Sequence, residues 1–183
     1  MLYIALLHYP VLNKDGKVVT TSIANMDIHD IARLSRTYGV QNYFVVNPLS
    51  AQRDMAYAII NHWSQGYGAV FNQSRRQAFE LVMVKEGLDE VKSEIIKQTG
   101  SMPRIVVTGA NFKGNLLTCD DLKKKMKNDN LPYLLIFGTG SGIADEIVDK
   151  ADYRLEPIRG MGDYNHLAVR SAVAIIVDRI MRD

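Results

Sequence analysis

The chain of 183 residues contains a single cysteine, Cys119, and only 4 histidines. One cysteine excludes a disulfide framework within the chain and suits a reducing compartment. Histidine and cysteine are too scattered to build a metal centre, so none is expected. No apolar run approaches the ~20 residues of a membrane-spanning helix. The apolar start of the chain is cut short by His8 and Pro10 and carries no basic segment, so it is expected to be a first strand and not a secretory signal. Repeats, low-complexity tracts and linkers are lacking as well. The formal net charge of +2 is too small to argue for a nucleic-acid partner by itself. What these absences leave is a cytoplasmic protein, folded as one globular domain over residues 1–183 with 47% hydrophobic residues to fill a core.

What is present is an alternation of strand and helix patterns. Leu2–Leu7 is a continuous apolar run, and the turn Asn13-Lys14-Asp15-Gly16 with Val18 and Val19 suggests a small hairpin. Asp27 is expected to cap a helix with Ile28, Ile31, Ala32, Ser35 and Tyr38 on one face and His29, Arg33 and Arg36 on the other, ended by Gly39. A strand over Tyr43–Val46 follows, then a helix capped by Ser50 and running to about His62. Residues 63–77, with Gly66, Gly68, Arg75 and Arg76, read mostly as an exposed loop. Strands at 79–84 and Arg104–Val107, helices at 88–98 and 120–127, an apolar strand at 131–137 and, after Ile143, a helical segment to Ala151 complete the alternation. It predicts an α/β fold with a mainly parallel sheet covered on both faces. The last helix, from about Asn165, is apolar over most of its circumference. Such a helix must be buried on more than one side, which predicts a homodimer through it.

The candidate site lies at strand ends. Gly138-Thr139-Gly140-Ser141-Gly142 follows an apolar strand, where a close approach of the backbone to a ligand needs glycine and where open α/β sheets bind ligands. The spacing is neither a dinucleotide fingerprint nor a Walker loop, so the motif reads as a nucleotide loop of another kind or as a bare strand-to-helix turn. Thr108-Gly109-Ala110-Asn111 is a second strand-end turn. Arg159-Gly160-Met161-Gly162-Asp163 is a second glycine loop. In it Arg159 suits an anion and Asp163 suits a general base or a helix dipole, while Asn165 suits either the pocket or a helix cap. His62, Trp63, Arg75 and Arg76 pair stacking surface with cations, as an RNA contact or as an ordinary surface loop.

Two regions together resemble the SPOUT superfamily, the α/β-knot RNA methyltransferases that use S-adenosylmethionine (SAM). One runs from Asp27-Ile28-His29-Asp30-Ile31-Ala32-Arg33 through Tyr38-Gly39-Val40 to Val45-Val46-Asn47-Pro48. The other is the strand, glycine loop, Glu156-Pro157-Ile158, Gly160 and small-residue helix at the end of the chain. The resemblance implies a C-terminal trefoil knot, with SAM held by backbone groups of three loops. The cofactor-binding positions would be Thr108, Gly109, Ala110, Gly138, Thr139, Gly140, Gly142, Ile158, Gly160, Asn165 and Leu167. It implies a tRNA or rRNA substrate, Arg33 contacting that RNA, and catalytic roles for Arg33, Arg159 and Asp163. Arg36, Arg53, Arg75 and Arg76 join Arg33 as candidates for gripping the RNA.

Departures from the family pattern refine this. Asp27 and His29 stand where the ribose-methylating branch has Asn and Gly, Gly140 where it has glutamate, and Ala168 where it has asparagine. They favour methylation of a base, for instance guanine, over a ribose 2′-oxygen. Two other classes fit the loops: a doubly wound nucleotide-binding protein or oxidoreductase, and a knotted RNA-binding scaffold without catalysis.

Overall fold

A computed structural model of the protein describes residues 1–162 and 164–182. The central sheet contains β1 (Leu2–Leu7), β4 (Tyr43–Val46), β5 (Val82–Lys85), β6 (Arg104–Val107), β7 (Tyr133–Gly138) and β8 (Tyr153–Arg154), and a hairpin of β2 (Val11–Leu12) and β3 (Val18–Val19) stands apart from it. All neighbours in the six-stranded sheet are parallel, in the order β5-β4-β1-β7-β6-β8. Every residue of β1 is buried. Side chains alternate between faces, so Leu2, Ile4 and Leu6 enter one core and Tyr3, Ala5 and Leu7 the other. That double burial is why the first strand reads as an unbroken apolar run.

On one face lie α1 (Asn25–Thr37), α2 (Ser50–Ser64), α4 (Gln73–Phe79), α6 (Cys119–Asn128) and α8 (Val169–Met181), whose buried side chains share a core, with the short α3 (Tyr67–Phe71) packed beside α2 and α4. The helix α5 (Leu88–Thr99) and the short α7 (Asp145–Val148) contribute to the other. Gly39 and Gly100 take positive φ, +68° and +72°, where α1 and α5 end. The expected parallel sheet with helices on both faces is present.

Several local expectations are corrected. The N-cap of α1 is Ala24 and makes no side-chain bond, so Asp27 is instead a buried first-turn residue. Ser50 is the first residue of α2 and Leu49 holds the cap position. Residues expected to form a loop after Trp63 fold as α3 and α4. Asn72 caps α4 by accepting from the Arg75 amide at 3.0 Å, and Gly68 packs so close to Trp63 that a Cβ there would meet its ring at 2.7 Å. Phe79 therefore ends a helix, and the strand expected to begin there starts at Val82. The helical segment expected to reach Ala151 is only the four residues of α7. The last helix begins at Val169, with Ala168 and not Asn165 at its N-cap.

Candidate active site

The sheet itself dictates where the cleft forms. From β1 the chain moves outward one way to β4 and β5, and on the other side β7 is inserted between β1 and β6. Strand order reverses between β1 and β7, and loops at the carboxyl ends of such strands diverge and leave a crevice. Leu7 of β1 pairs with Gly138 of β7, so both strands end there together. A cleft of about 860 Å³ opens at this edge, walled by residues 108–111, 137–142, 156–158 and 165–167 and by the helix positions Asp27, Val169, Ala172 and Ile176.

The glycine loop is held by the β2–β3 hairpin. Ser141 N–H donates to Leu12 O at 2.7 Å, Leu12 N–H donates to Gly142 O at 2.8 Å, and Val11 bridges Ile143 antiparallel. Gly140, at φ +61°, lies so near that a Cβ would stand 2.6 Å from Leu12 O. A Cβ at Gly138 would meet the Ile143 side chain at 2.6 Å. At position 140 glycine is thus required by the protein's own backbone, because only it tolerates both the left-handed conformation and the contact.

A polar chain fixes the same corner. Thr139 Oγ1 donates to Leu7 O at 3.1 Å and is also hydrogen-bonded to Thr21 Oγ1, whose other neighbour is His8 Nδ1 at 3.0 Å. Thr139 spends its proton on Leu7 and so accepts from Thr21, which leaves His8 to donate from Nδ1. Burial holds the His8 imidazole neutral by pulling its pKa from 6.5 to about 4, and Nε2 is buried with no partner among the described residues. Opposite, Asp27 is buried and accepts from Arg170 Nη1 at 3.2 Å, while Arg170 Nε lies 3.5 Å from Asp30. This ties α1 to α8 at the cleft wall. The unpartnered Tyr43 hydroxyl is kept protonated by burial first and by the Asp27 charge second.

The structure brings most of the expected cofactor positions together. Thr108, Gly109, Ala110, Gly138, Thr139, Gly140, Gly142, Ile158, Asn165 and Leu167 all line the cleft, and Asn165 Nδ2 donates to Ala110 O at 3.1 Å to join two of the loops. Among the described residues, the amides of Gly109, Ala110, Gly140, Ile158 and Leu167 donate to no protein acceptor. Gly160 and Arg159 are exposed and stand outside the lining, as does Arg33 on the outer face of α1. Asp163 lies outside the described residues. The cleft also gains Lys14, Thr21, Ser22, Asp27, Glu156 and His166. The hairpin residues among these had no local signal, because Thr21 and Thr139 are separated by 118 positions.

Several of the arginines considered for RNA are engaged within the chain. Arg53 donates to the carbonyls of Asn47 at 3.1 Å and Pro48 at 2.5 Å and pairs with Glu86 at 3.3 Å. The Arg75 guanidinium lies 4.5 Å from the Trp63 ring centre, a cation–π contact inside the protein. Arg76 pairs with Glu80 at 3.5 Å. Arg33 and Arg36 remain exposed.

A family model described as SAM-dependent RNA methyltransferase matches residues 1–182. An uncharacterized protein of Aquifex aeolicus is 43% identical over 178 residues, covering 97% of this chain and 87% of that protein. A tRNA (guanine-N(1)-)-methyltransferase of Oleidesulfovibrio alaskensis is 40% identical over 182 residues, all of this chain but only 42% of that protein's length. The crystal structure of TrmJ from Z. mobilis shares the fold at a TM-score of 0.64 and 14% identity, covering 100% of this chain and 69% of that one. Among the described residues no cluster of potential metal ligands occurs, and no helix is long and apolar enough to cross a membrane.

Proposed function

The chain belongs to the family of SAM-dependent RNA methyltransferases, and on that premise we propose that its acceptor is a base of tRNA or rRNA, guanine foremost, and not a ribose 2′-oxygen. The observation that carries the cofactor reading is the convergence of three loops, two of them joined by the Asn165–Ala110 bond, around a cleft lined by backbone amides that donate to no protein acceptor among the described residues. Backbone donors, a volume of about 860 Å³ and apolar walls from Phe137, Ile158 and Leu167 suit an adenosine; the carboxylate of Glu156 suits a cation. The residues therefore fit SAM. When bound, SAM supplies a sulfonium methyl group to an in-line nucleophile.

The protein's own part is to position and to move one proton. The glycine loop and Ala110 orient the cofactor, and the apolar wall excludes water. Arg33 and Arg159 meet the RNA from outside the cleft, and Asp163 accepts the proton that an N–H nucleophile gives up. These roles rest on sequence position, and so does that of Gly160 beside the cofactor. The base reading is supported by the departures at Asp27, His29, Gly140 and Ala168. The tRNA methyltransferase relative's name agrees, although more than half of that protein lies beyond the matched part.

The whole chain forms one catalytic domain, in the cytoplasm, with its C-terminal segment threaded as a trefoil knot. Supporting the knot, the chain inserts β7 inside β6, moves out to β8, and returns to pack α8 against β7, α1 and α6. Two copies pair through α8. Within one chain Val173, Ile176, Val177 and Ile180 are buried, and Ala174 and Ile175, which lie outside the cleft lining, are left partly open. Sedimentation equilibrium is expected to give twice the mass of 20.6 kDa; a monomer refutes the pairing.

Calorimetry with SAM and S-adenosylhomocysteine, using NAD and ATP as controls, tests the cofactor. Nucleoside analysis of RNA methylated by the protein tests the acceptor. A methylated guanine base is expected, whereas a 2′-O-methyl ribose overturns the base reading. Binding of NAD or ATP in place of SAM overturns the cofactor assignment.

A further inference from the structure

A second, smaller groove lies on the other side of the loop that follows β6. It measures about 480 Å³ and is bordered by Lys113, Leu117, Lys125, Asp152, Tyr153 and Arg154. Residues 108–111 of that loop wall the cofactor cleft, and residues 113 and 115–117 wall the groove, so one loop separates the two. Lys113 is two residues from Asn111, and two residues of chain span at most about 7 Å.

The charges in the groove are unequal. Lys113 and Lys125 are exposed and form no ion pair among the described residues. The Lys125 ammonium instead sits 5.1 Å from the centre of the Tyr153 ring, which steers it toward the groove. Arg154 reaches Asp149 at 2.8 Å, with both side chains open to water at 41% and 69%, and such exposed pairs give way readily to a better anion. The one carboxylate on the groove wall, Asp152, is already compensated: Arg104 donates to it at 3.0 Å and the Ile105 amide at 2.8 Å. Two cations without an ion pair among the described residues, Lys113 and Lys125, thus face the groove beside Arg154, whose one pair with Asp149 is exposed. Its remaining surface, Leu116, Leu117, Ala151 and the Tyr153 ring, suits sugar and base faces.

We propose that this groove is the track for the RNA backbone, with Lys113, Lys125 and Arg154 each neutralising a phosphate of the nucleotides next to the one in the cofactor cleft. The inference rests on the RNA methyltransferase reading and extends it to a surface distinct from the α1 and α4 arginines. A phosphate at Lys113 lies one or two nucleotides from a base at Asn111, which lets a single strand cross the loop with its target base turned into the cleft. The interaction is electrostatic and sequence-tolerant, so specificity stays with the cleft.

The test uses the full chain and fluorescein-labelled dodecauridylate, with anisotropy read between about 50 mM and 200 mM salt. For single strands the slope of log K against log salt flattens by about 0.7 for every phosphate contact removed. Lys113→Gln, Lys125→Gln and Arg154→Gln should each flatten it by that amount and the triple variant by about 2. SAM titrations of the same proteins should match the wild type, and Lys92→Gln on α5, which lines neither site, should leave the slope unchanged. An unchanged slope in the triple variant, or a flattening found only in Arg33→Gln and Arg36→Gln, overturns the groove. Loss of SAM binding throughout with the slopes behaving as expected would sink the methyltransferase reading and leave the groove standing. Circular dichroism of each variant separates lost contacts from lost fold, and the three single variants carry the test if the triple one unfolds.

Discussion

Replacing Gly140 by alanine tests whether the loop that shapes the cleft is held by its fit to the hairpin. At φ +61° a side chain costs about 1–2 kcal/mol for the left-handed conformation alone. The new Cβ would also stand 2.6 Å from Leu12 O, a backbone atom that cannot swing aside as a side chain can. Relieving the contact moves the hairpin and weakens the two bonds that clasp the loop, Ser141 N–H to Leu12 O and Leu12 N–H to Gly142 O, at about 1 kcal/mol each. The sum is about 3–4 kcal/mol, which for a chain of this length lowers the melting temperature by roughly 10 °C. The displaced loop should also weaken SAM binding by at least about tenfold, since each ~1.4 kcal/mol is a decade in Kd. Gly160→Ala is the matched control for stability alone: it has no positive φ and open space around its Cβ, so its folding free energy should stay within about 0.5 kcal/mol of the wild type. Differential scanning calorimetry of both variants and SAM titration of Gly140→Ala make the comparison. A Gly140→Ala protein with wild-type melting and SAM affinity refutes the clasp.

Other outcomes follow from the same geometry. His8 has its pKa lowered from 6.5 to about 4 by burial, so it contributes stability above pH 6.5 that is lost as pH falls toward 4, roughly 3 kcal/mol in all. Chemical denaturation across that window should show His8→Asn losing less than the wild type, and parallel curves would refute the assignment. Arg170→Ala leaves the Asp27 carboxylate buried without its partner and should cost about 2 kcal/mol. Most of that should disappear in the Asp27→Asn background, and a double-mutant cycle without coupling would refute the tie between α1 and α8. Asn165→Ala removes the bond to Ala110 between two cleft loops. It should weaken SAM about fivefold, near 1 kcal/mol, with little change in melting. A large loss of melting temperature with unaltered SAM affinity would make that bond structural only.

Much of this protein is written locally. The unbroken apolar runs Leu2–Leu7 and Tyr43–Val46 imply strands buried on both faces, and the strand-then-glycine pattern at Gly138 implies a cleft edge. Each follows from the preferences of a few adjacent residues, which act before any tertiary contact exists. Helix boundaries were less legible. Phe79-Glu80-Leu81 fits the end of a helix or the start of a strand, and only packing against α1 and α2 decides for the helix. The sequence around Asn72 did hold a capping signal, which the glycines on either side of Tyr67 masked.

What the tertiary structure alone decided is the company each residue keeps. Asp27 looks like a helix cap in sequence and becomes a cleft wall because Arg170, 143 positions away, arrives beside it. Asn165 looks like the cap of the last helix and becomes a bond between loops. Arg53 and Arg75 look like free cations and are consumed by carbonyls and a tryptophan ring. The reason is physical: periodicity, turn chemistry and propensity act over a few residues and are readable in one dimension, whereas burial and pairing act over a few ångströms and join parts of the chain whose proximity exists only once the sheet has formed.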